Sequence, residues 1–324
     1  MLIYERLESD IFLVKSDTPF GPVCNGIVIK NTENSSNILI DCNFNVNEIN
    51  DLVYNLKGEI GAYFASHTHL DHISNINLYE KRGIKIYCSI PEDRYLRDID
   101  IFIKENGMVD FGVDDIFRKI VCEEMKFKNL QDVNSFEPYT KFDYGNILLE
   151  TIPIPGHSPG QTAYLISYIN EVKEKVLFVS DLGIERAGPW YGLKNSDLED
   201  FRSSIKRVEK VYLKGNGEDI ILTSSHGDAI FTPQPEIFKK VLIKIKSNEE
   251  KVLRLFSPGE PIRLNDLVLK GAFYPKKHVA HLPYNMKKIH QCWESYIILH
   301  HINELINKGK LRVEDPELST FILN

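Results

Sequence analysis

The sequence predicts a layered α/β protein whose reactive side chains gather at strand ends, followed by a smaller and mostly helical module. Three observations predict it. Short apolar runs alternate with amphipathic stretches up to about residue 246. Four of those runs end on histidine or aspartate in loops rich in Gly, Pro or Ser: 60–65 before His67, 147–154 before His157, 176–179 before Asp181 and 220–223 before His226. Beyond residue 246 the pattern changes to helical periodicity punctuated by Pro258 and Pro261. At 324 residues the chain is long enough for one large domain, expected over 1–246, and a small one over 247–324.

In chain order, strands are expected at 11–15, 24–30 and 37–41, separated by Asn- and Ser-rich turns such as 31–37. A helix over 46–57 follows from Ile49, Leu52, Val53 and Leu56 on one face. Strand 60–65 then delivers Ser66-His67-Thr68-His69-Leu70-Asp71-His72, followed by a helix over 73–82 and a strand over 84–88. The charged, helical stretch at about 91–131 reads as an insertion, either a wall of the site or surface decoration. A helix over 236–246 closes the large domain. The tail then reads as helices over 249–256, 264–270 and 289–307 and a hairpin of 310–313 with 319–323.

The densest chemistry lies in the segment 67–72, where His67, His69, Asp71 and His72 place four metal-binding groups within six residues. Imidazole and carboxylate together suit zinc, iron or manganese. His157 stands between Pro155-Gly156 and Ser158-Pro159-Gly160, Asp181 closes an apolar run, and His226 opens a Gly-containing loop. A lone histidine after a strand is ordinarily a hydrogen-bonded structural residue, and a lone aspartate there is often a helix cap. A carboxylate at the tip of a buried strand is nevertheless costly unless paired or metal-bound, and four ligand-bearing strand ends in one chain form a pattern. Asp228 reads as a turn residue. Arg186, Trp190 and Tyr191, in a Gly/Pro loop just past Asp181, are expected to contact substrate, against the blander readings of loop packing and a surface ion pair.

Composition narrows the partners. The net charge of −7 argues against nucleic acid as a bulk electrostatic partner. The 247–324 segment carries 11 Lys and Arg against 9 Asp and Glu, and its long helix bears Glu294 and Glu304. A DNA-reading helix would favour Arg and Lys there. No apolar run approaches the ~20 residues that span a bilayer, and residues 1–10 carry no signal-peptide pattern. Five cysteines without a Cys-x-x-Cys pair suggest free thiols in a reducing cytoplasm, with Cys42 near a strand end and thus a possible neighbour of the site. His281, His290, His300 and His301 are expected at the surface or at helix ends.

The ordered set His-x-His-x-Asp-His (67–72), Gly156-His157, Ser180-Asp181 and Ser225-His226 resembles the metallo-β-lactamase-fold superfamily. The resemblance implies a four-layer αβ/βα sandwich, two packed sheets with helices outside. It also implies two divalent ions, zinc first and iron or manganese as alternatives. His67, His69 and His157 would hold one ion, Asp71, His72 and His226 the other, and Asp181 would bridge them. Asp71 would also orient the nucleophile and shuttle a proton. The tail resembles the winged-helix modules that end many hydrolases of this fold, and its apolar helix face suggests a homodimer.

The leading expectation is a dinuclear hydrolase of a small ester, thioester or lactone. A ribonuclease or phosphodiesterase is the second reading, although the 44 residues between Asp181 and His226 leave no room for the extra domain of the large RNA-processing enzymes. A mononuclear iron persulfide dioxygenase, using positions such as His67, His157 and Asp181, is the third. A binding protein on a degenerate fold would lack ligands, and none is missing. Di-iron flavoprotein reductases carry Glu where His69 stands.

Overall fold

The computed structural model describes residues 1–18, 23–30, 36–169, 174–214 and 220–324. The turn expected over 31–37 therefore lies largely outside the described residues. A seven-stranded sheet contains, in spatial order, β1 (Leu2–Glu8), β2 (Ile11–Ser16), β3 (Gly26–Ile29), β4 (Ser36–Ile40), β5 (Glu59–Phe64), β6 (Lys85–Ser89) and β7 (Val133–Phe136). Strands β1 to β4 pair antiparallel, whereas β4 to β7 run parallel. A five-stranded sheet follows the order β12-β11-β10-β9-β8, from β8 (Lys141–Asp143), β9 (Ile147–Pro153), β10 (Thr162–Tyr168), β11 (Lys175–Phe178) and β12 (Ile220–Thr223).

The two-residue period of each strand assigns its side chains to different layers. Ile11, Leu13, Ile27, Ile29, Ile38, Ile40, Ala62 and Phe64 face Ile147, Leu149, Tyr164, Ile166, Val176 and Phe178 in the core between the sheets. The alternate residues Val14, Val28, Leu39 and Tyr63 pack outward under the helix Val46–Asn55 and the insertion. Ala163, Leu177 and Leu222 pack outward under the helices Leu198–Lys214 and Glu236–Leu253. The result is the expected four-layer αβ/βα sandwich.

Local readings differ from the structure in places. The helix expected over 73–82 is two short ones, Leu70–Ile73 and Asn77–Glu80, because the ligand loop bends directly into a helical turn at His69. The helices read separately at 236–246 and 249–256 are one continuous helix, Glu236–Leu253. It carries Val241 and Ile245 into the sandwich core and Val252 into the C-terminal core, so it crosses the expected boundary at 246.

The C-terminal module holds the helices Leu264–Val268, Lys276–Val279 and Tyr284–Asn307, and a sheet of β13 (Ile262–Arg263), β15 (Thr320–Leu323) and β14 (Leu311–Asp315) in that order. The long helix Tyr284–Asn307 serves two cores at once: Ile298, Ile302 and Leu305 face the module, while Ile289, Cys292 and Tyr296 face the insertion. His301, expected at the surface, is fully buried there. Burial holds its imidazole down to about 3, so it is neutral and hydrogen-bonds the Tyr191 hydroxyl at 2.9 Å. Among the described residues no helix is long and apolar enough to cross a membrane.

Candidate metal centre

The C-terminal ends of the strands converge on one rim, the edge where open α/β sheets place their ligands. Asp41 follows β4, the loop 66–72 follows β5, and Ser89 leads from β6 into the helix Ile90–Arg97. On the second sheet β9 leads to His157, β11 to Asp181 and β12 to His226. The loops are tightly set. Gly156 has φ 129°, and a Cβ there would stand 2.3 Å from the backbone of Phe201, so only glycine lets the His157 loop lie against the helix Leu198–Lys214. Ser180, beside Asp181, is held at φ 49°, and Asp41 at φ 50°. These left-handed conformations are stabilised by their surroundings.

Two groups of donors result, His67 with His69 and His157, and Asp71 with His72, Asp181 and His226, the ligand atoms of each lying within 4.8 Å of one another. His67 and His157 approach at 3.1 Å between their Nε2 atoms. In the second group the Nε2 of His226 lies 3.1 Å from Asp71 and 3.4 Å from Asp181, and that of His72 lies 3.4 Å from Asp181. Asp181 also reaches 3.5 Å from the Nε2 of His157, so its carboxylate stands between the groups.

The electrostatics suit cations. Burial, reinforced by the neighbouring imidazoles, holds His67 and His69 well below the usual histidine range. They are thus neutral, as metal ligands must be. Burial opposes ionisation of Asp181, but His72 and His226 outweigh it and hold the carboxyl well below its ordinary value. Burial likewise opposes charging of His226 and His72, yet the surrounding carboxylates push His226 up to about 10 and His72 well above its ordinary range, so both carry a proton that a bound cation would have to displace. The Nε2 atoms of His69 and His72 and Oδ1 of Asp181 are buried without a hydrogen-bond partner. Buried polar atoms are ordinarily satisfied. Three such atoms pointing into one cluster of imidazole and carboxylate groups fit bound divalent ions.

Outer residues orient the donors through their far sides. His157 Nδ1 hydrogen-bonds the Trp190 carbonyl at 2.8 Å, and His67 Nδ1 meets the Ser66 hydroxyl at 3.1 Å. The carboxyl of Asp41 touches His72 Nδ1 at 2.9 Å and accepts from the Ser66 amide at 2.8 Å. Such partners typically contribute 10- to 100-fold, roughly, in metal affinity. Asp41→Asn is therefore expected to weaken metal retention by ~10- to 100-fold in chelator competition, and unchanged retention would remove Asp41 from this role.

Asp41, Glu92 and Cys24 were not singled out from the sequence. Asp41 carried the same signal as Asp181, an acid closing an apolar strand. Glu92 looked like any acid in a charged helix, yet it is fully buried and accepts hydrogen bonds from the Thr68 amide at 3.1 Å, the Thr68 hydroxyl at 2.5 Å and the Gly160 amide at 2.8 Å. Cys24, rather than Cys42, adjoins the site, with Sγ 3.6 Å from His72 Nδ1. Burial pushes its thiol up to about 12, so it is neutral. Cys42 instead donates to the Ile27 carbonyl. Asp228 pairs with Lys15 at the surface at 2.7 Å.

A cavity of about 700 Å³ opens directly over these donors. Trp190 and the exposed Arg186 line it. Tyr191 does not: its ring turns into the core under the helix Leu198–Lys214, where its hydroxyl meets Asn248 at 2.8 Å and His301.

A family model described as the metallo-beta-lactamase superfamily matches residues 20–226, which contain every donor above. The chain belongs to the metallo-beta-lactamase superfamily. A relative from Bacillus velezensis, described as a probable polyketide biosynthesis zinc-dependent hydrolase, BaeB, is 25% identical over 182 residues. That match covers 56% of this chain and 65% of the relative, so this superfamily member spans a little less than two thirds of that protein's length. Among solved structures, a metallo-beta-lactamase family protein of Thermus thermophilus superposes with a TM-score of 0.74 at 16% identity, covering 98% of this chain and 100% of that one. A beta-lactamase domain protein of Burkholderia ambifaria gives 0.67 at 14% identity, covering 99% and 93%. Both coverages include the C-terminal module, so the whole architecture recurs beyond the superfamily core.

Proposed function

We propose that this chain is a dinuclear metal-dependent hydrolase of a small ester, thioester or lactone. The observation that carries the reading is the position of Asp181, within 3.5 Å of ligand atoms from both donor groups. His67, His69 and His157 would hold one divalent ion, Asp71, His72 and His226 the other, and Asp181 would serve both. When bound, such a pair supplies Lewis acidity and a water that ionises near neutral pH. The protein's own part is positional. Asp71 and His226 are the donors most open to the cavity, with side chains 28% and 41% exposed. Asp71 would orient the nucleophile and take up its proton. The apolar cavity excludes water from the bond being cleaved and strengthens the fixed charges around it. The zinc dependence stated for the Bacillus relative and the imidazole-rich donor set favour zinc over iron or manganese. The C-terminal module, with its three-stranded sheet and long helix, is read as winged-helix-like and as the surface of a homodimer.

Elemental analysis of protein purified without added metal tests this. About two zinc or manganese ions per chain, with hydrolysis of simple esters or thioesters, is the expected result. A single iron per chain with persulfide-dependent oxygen uptake would overturn it in favour of a dioxygenase. Cleavage of phosphodiesters alone would overturn the ester assignment.

A further inference from the structure

The cavity over the metal centre has a floor and walls of different chemistry. Its floor is the ligand set itself, His69, Asp71, His157, Asp181 and His226. Its walls are apolar and come from two segments outside the motif set. Phe102, Phe117, Ile120 and Met125 belong to the insertion, and Met286 and Trp293 to the C-terminal helix Tyr284–Asn307. Besides the donors, the charged lining residues are Glu185, largely buried with its Oε1 unpartnered, and Arg186, which is solvent-exposed. A volume of about 700 Å³ is that of a pocket for a sizeable ligand. It far exceeds what an acetyl group would fill.

We infer that this cavity is an acyl pocket, and that the substrate is an ester or thioester whose acyl part is a long, flexible aliphatic chain. The inference rests on the ester or thioester hydrolysis proposed above and replaces its small acyl group with a long one, which the cavity of about 700 Å³ admits. The apolar walls suit the acyl chain, whereas the exposed Arg186 marks a side on which the departing alcohol or thiol can leave. Three of the chain's four methionines, Met108, Met125 and Met286, line the walls. Unbranched, polarisable side chains adapt to a chain that has many conformers. In the reaction a water oxygen bonds to the acyl carbon and the C–O or C–S bond to the leaving group breaks. One water proton ends on the leaving oxygen or sulfur, and a fatty acid is released.

The chain has two tryptophans, Trp190 and Trp293, and both line this cavity. Intrinsic fluorescence therefore reports its occupancy without any turnover. Titrating the full-length protein with straight-chain carboxylates from butanoate to dodecanoate is expected to change the tryptophan emission. Affinity is expected to rise about 4-fold for each added methylene until the cavity is full. In parallel, kcat/KM of the metal-loaded protein is expected to rise along a series of thioesters of increasing acyl length with a common thiol. Two separate substitutions that fill the walls, Ile120→Phe and Met125→Phe, guard against one that fails to fold. Each should move the optimum in both series to shorter chains. Equal hydrolysis of short and long acyl groups, with no chain-length effect on fluorescence, would overturn the acyl pocket and leave the hydrolase standing. Dependence on the length of the alcohol rather than the acyl group would also overturn it. No hydrolysis at any acyl length would sink the hydrolase reading and the substrate assignment with it, even where the carboxylates bind.

Discussion

Asp181→Ala is expected to empty both donor groups and to lower kcat/KM by more than the ~100-fold that a supporting residue contributes, the largest effect of any single substitution considered. Among the carboxylate donors, Asp71 has ligand contacts only within the second group, with His72 and His226. Asp181 lies 3.4 Å from His72 and His226 and 3.5 Å from His157, and its Oδ1 is buried without a hydrogen-bond partner. Without it, six of the seven donors remain but the carboxylate between them is gone. Two cations bound there would then have Asp71 as the one remaining carboxylate ligand, with Asp41 acting on them only through His72. Metal per chain, measured on variant and parent purified side by side, checks this, with circular dichroism to show that the sheets persist. Retention of the full metal content in a folded Asp181→Ala protein would refute the bridging position. Loss from the second group alone would reduce Asp181 to an ordinary ligand.

Glu92→Ala is expected to destabilise the protein by about 3–5 kcal/mol and to weaken metal retention in the His67, His69 and His157 group. The Glu92 carboxyl is the acceptor for three buried donors, the Thr68 amide, the Thr68 hydroxyl and the Gly160 amide. Thr68 stands between His67 and His69, and Gly160 follows His157 by three residues. One side chain thus ties together the two loops that carry the first group, and neither loop can relax to water when it is removed. Glu92→Gln keeps the shape but presents an NH₂ to one of those donors, so it should fall between Ala and the parent. Denaturant midpoints for the three proteins, together with chelator competition, give both readouts. A change in stability below ~0.5 kcal/mol for Glu92→Ala, the range of ordinary surface substitutions, would show that the loops do not depend on this contact.

The contrast between Asp181 and Glu92 shows how far a linear reading reaches here. Asp181 was legible because a strand announces itself by a run of apolar residues, and a carboxylate at its tip conflicts with that run unless something compensates it. The same logic exposes His67, His69, Asp71, His72, His157 and His226, and it holds equally for Asp41, the acid that ends the strand at 37–41. The two-layer division of each strand was equally local, since Ile38 and Ile40 go to one face and Leu39 to the other by backbone geometry alone.

Glu92, Cys24 and His301 carried no such signal. Each acquires its environment from segments far away in the chain: Glu92 from Thr68 and Gly160, Cys24 from His72, and His301 from Tyr191. The division of roles between Trp190 and Tyr191 also waited on packing, because a loop sequence does not say which of two adjacent rings faces the cavity. The cavity itself is the clearest case. Its floor is written in the motifs, where covalent spacing and strand geometry place the donors. Its walls come from the insertion and the C-terminal helix, two stretches more than 150 residues apart between Met125 and Met286. They meet only because each buries an apolar face that it cannot cover by itself.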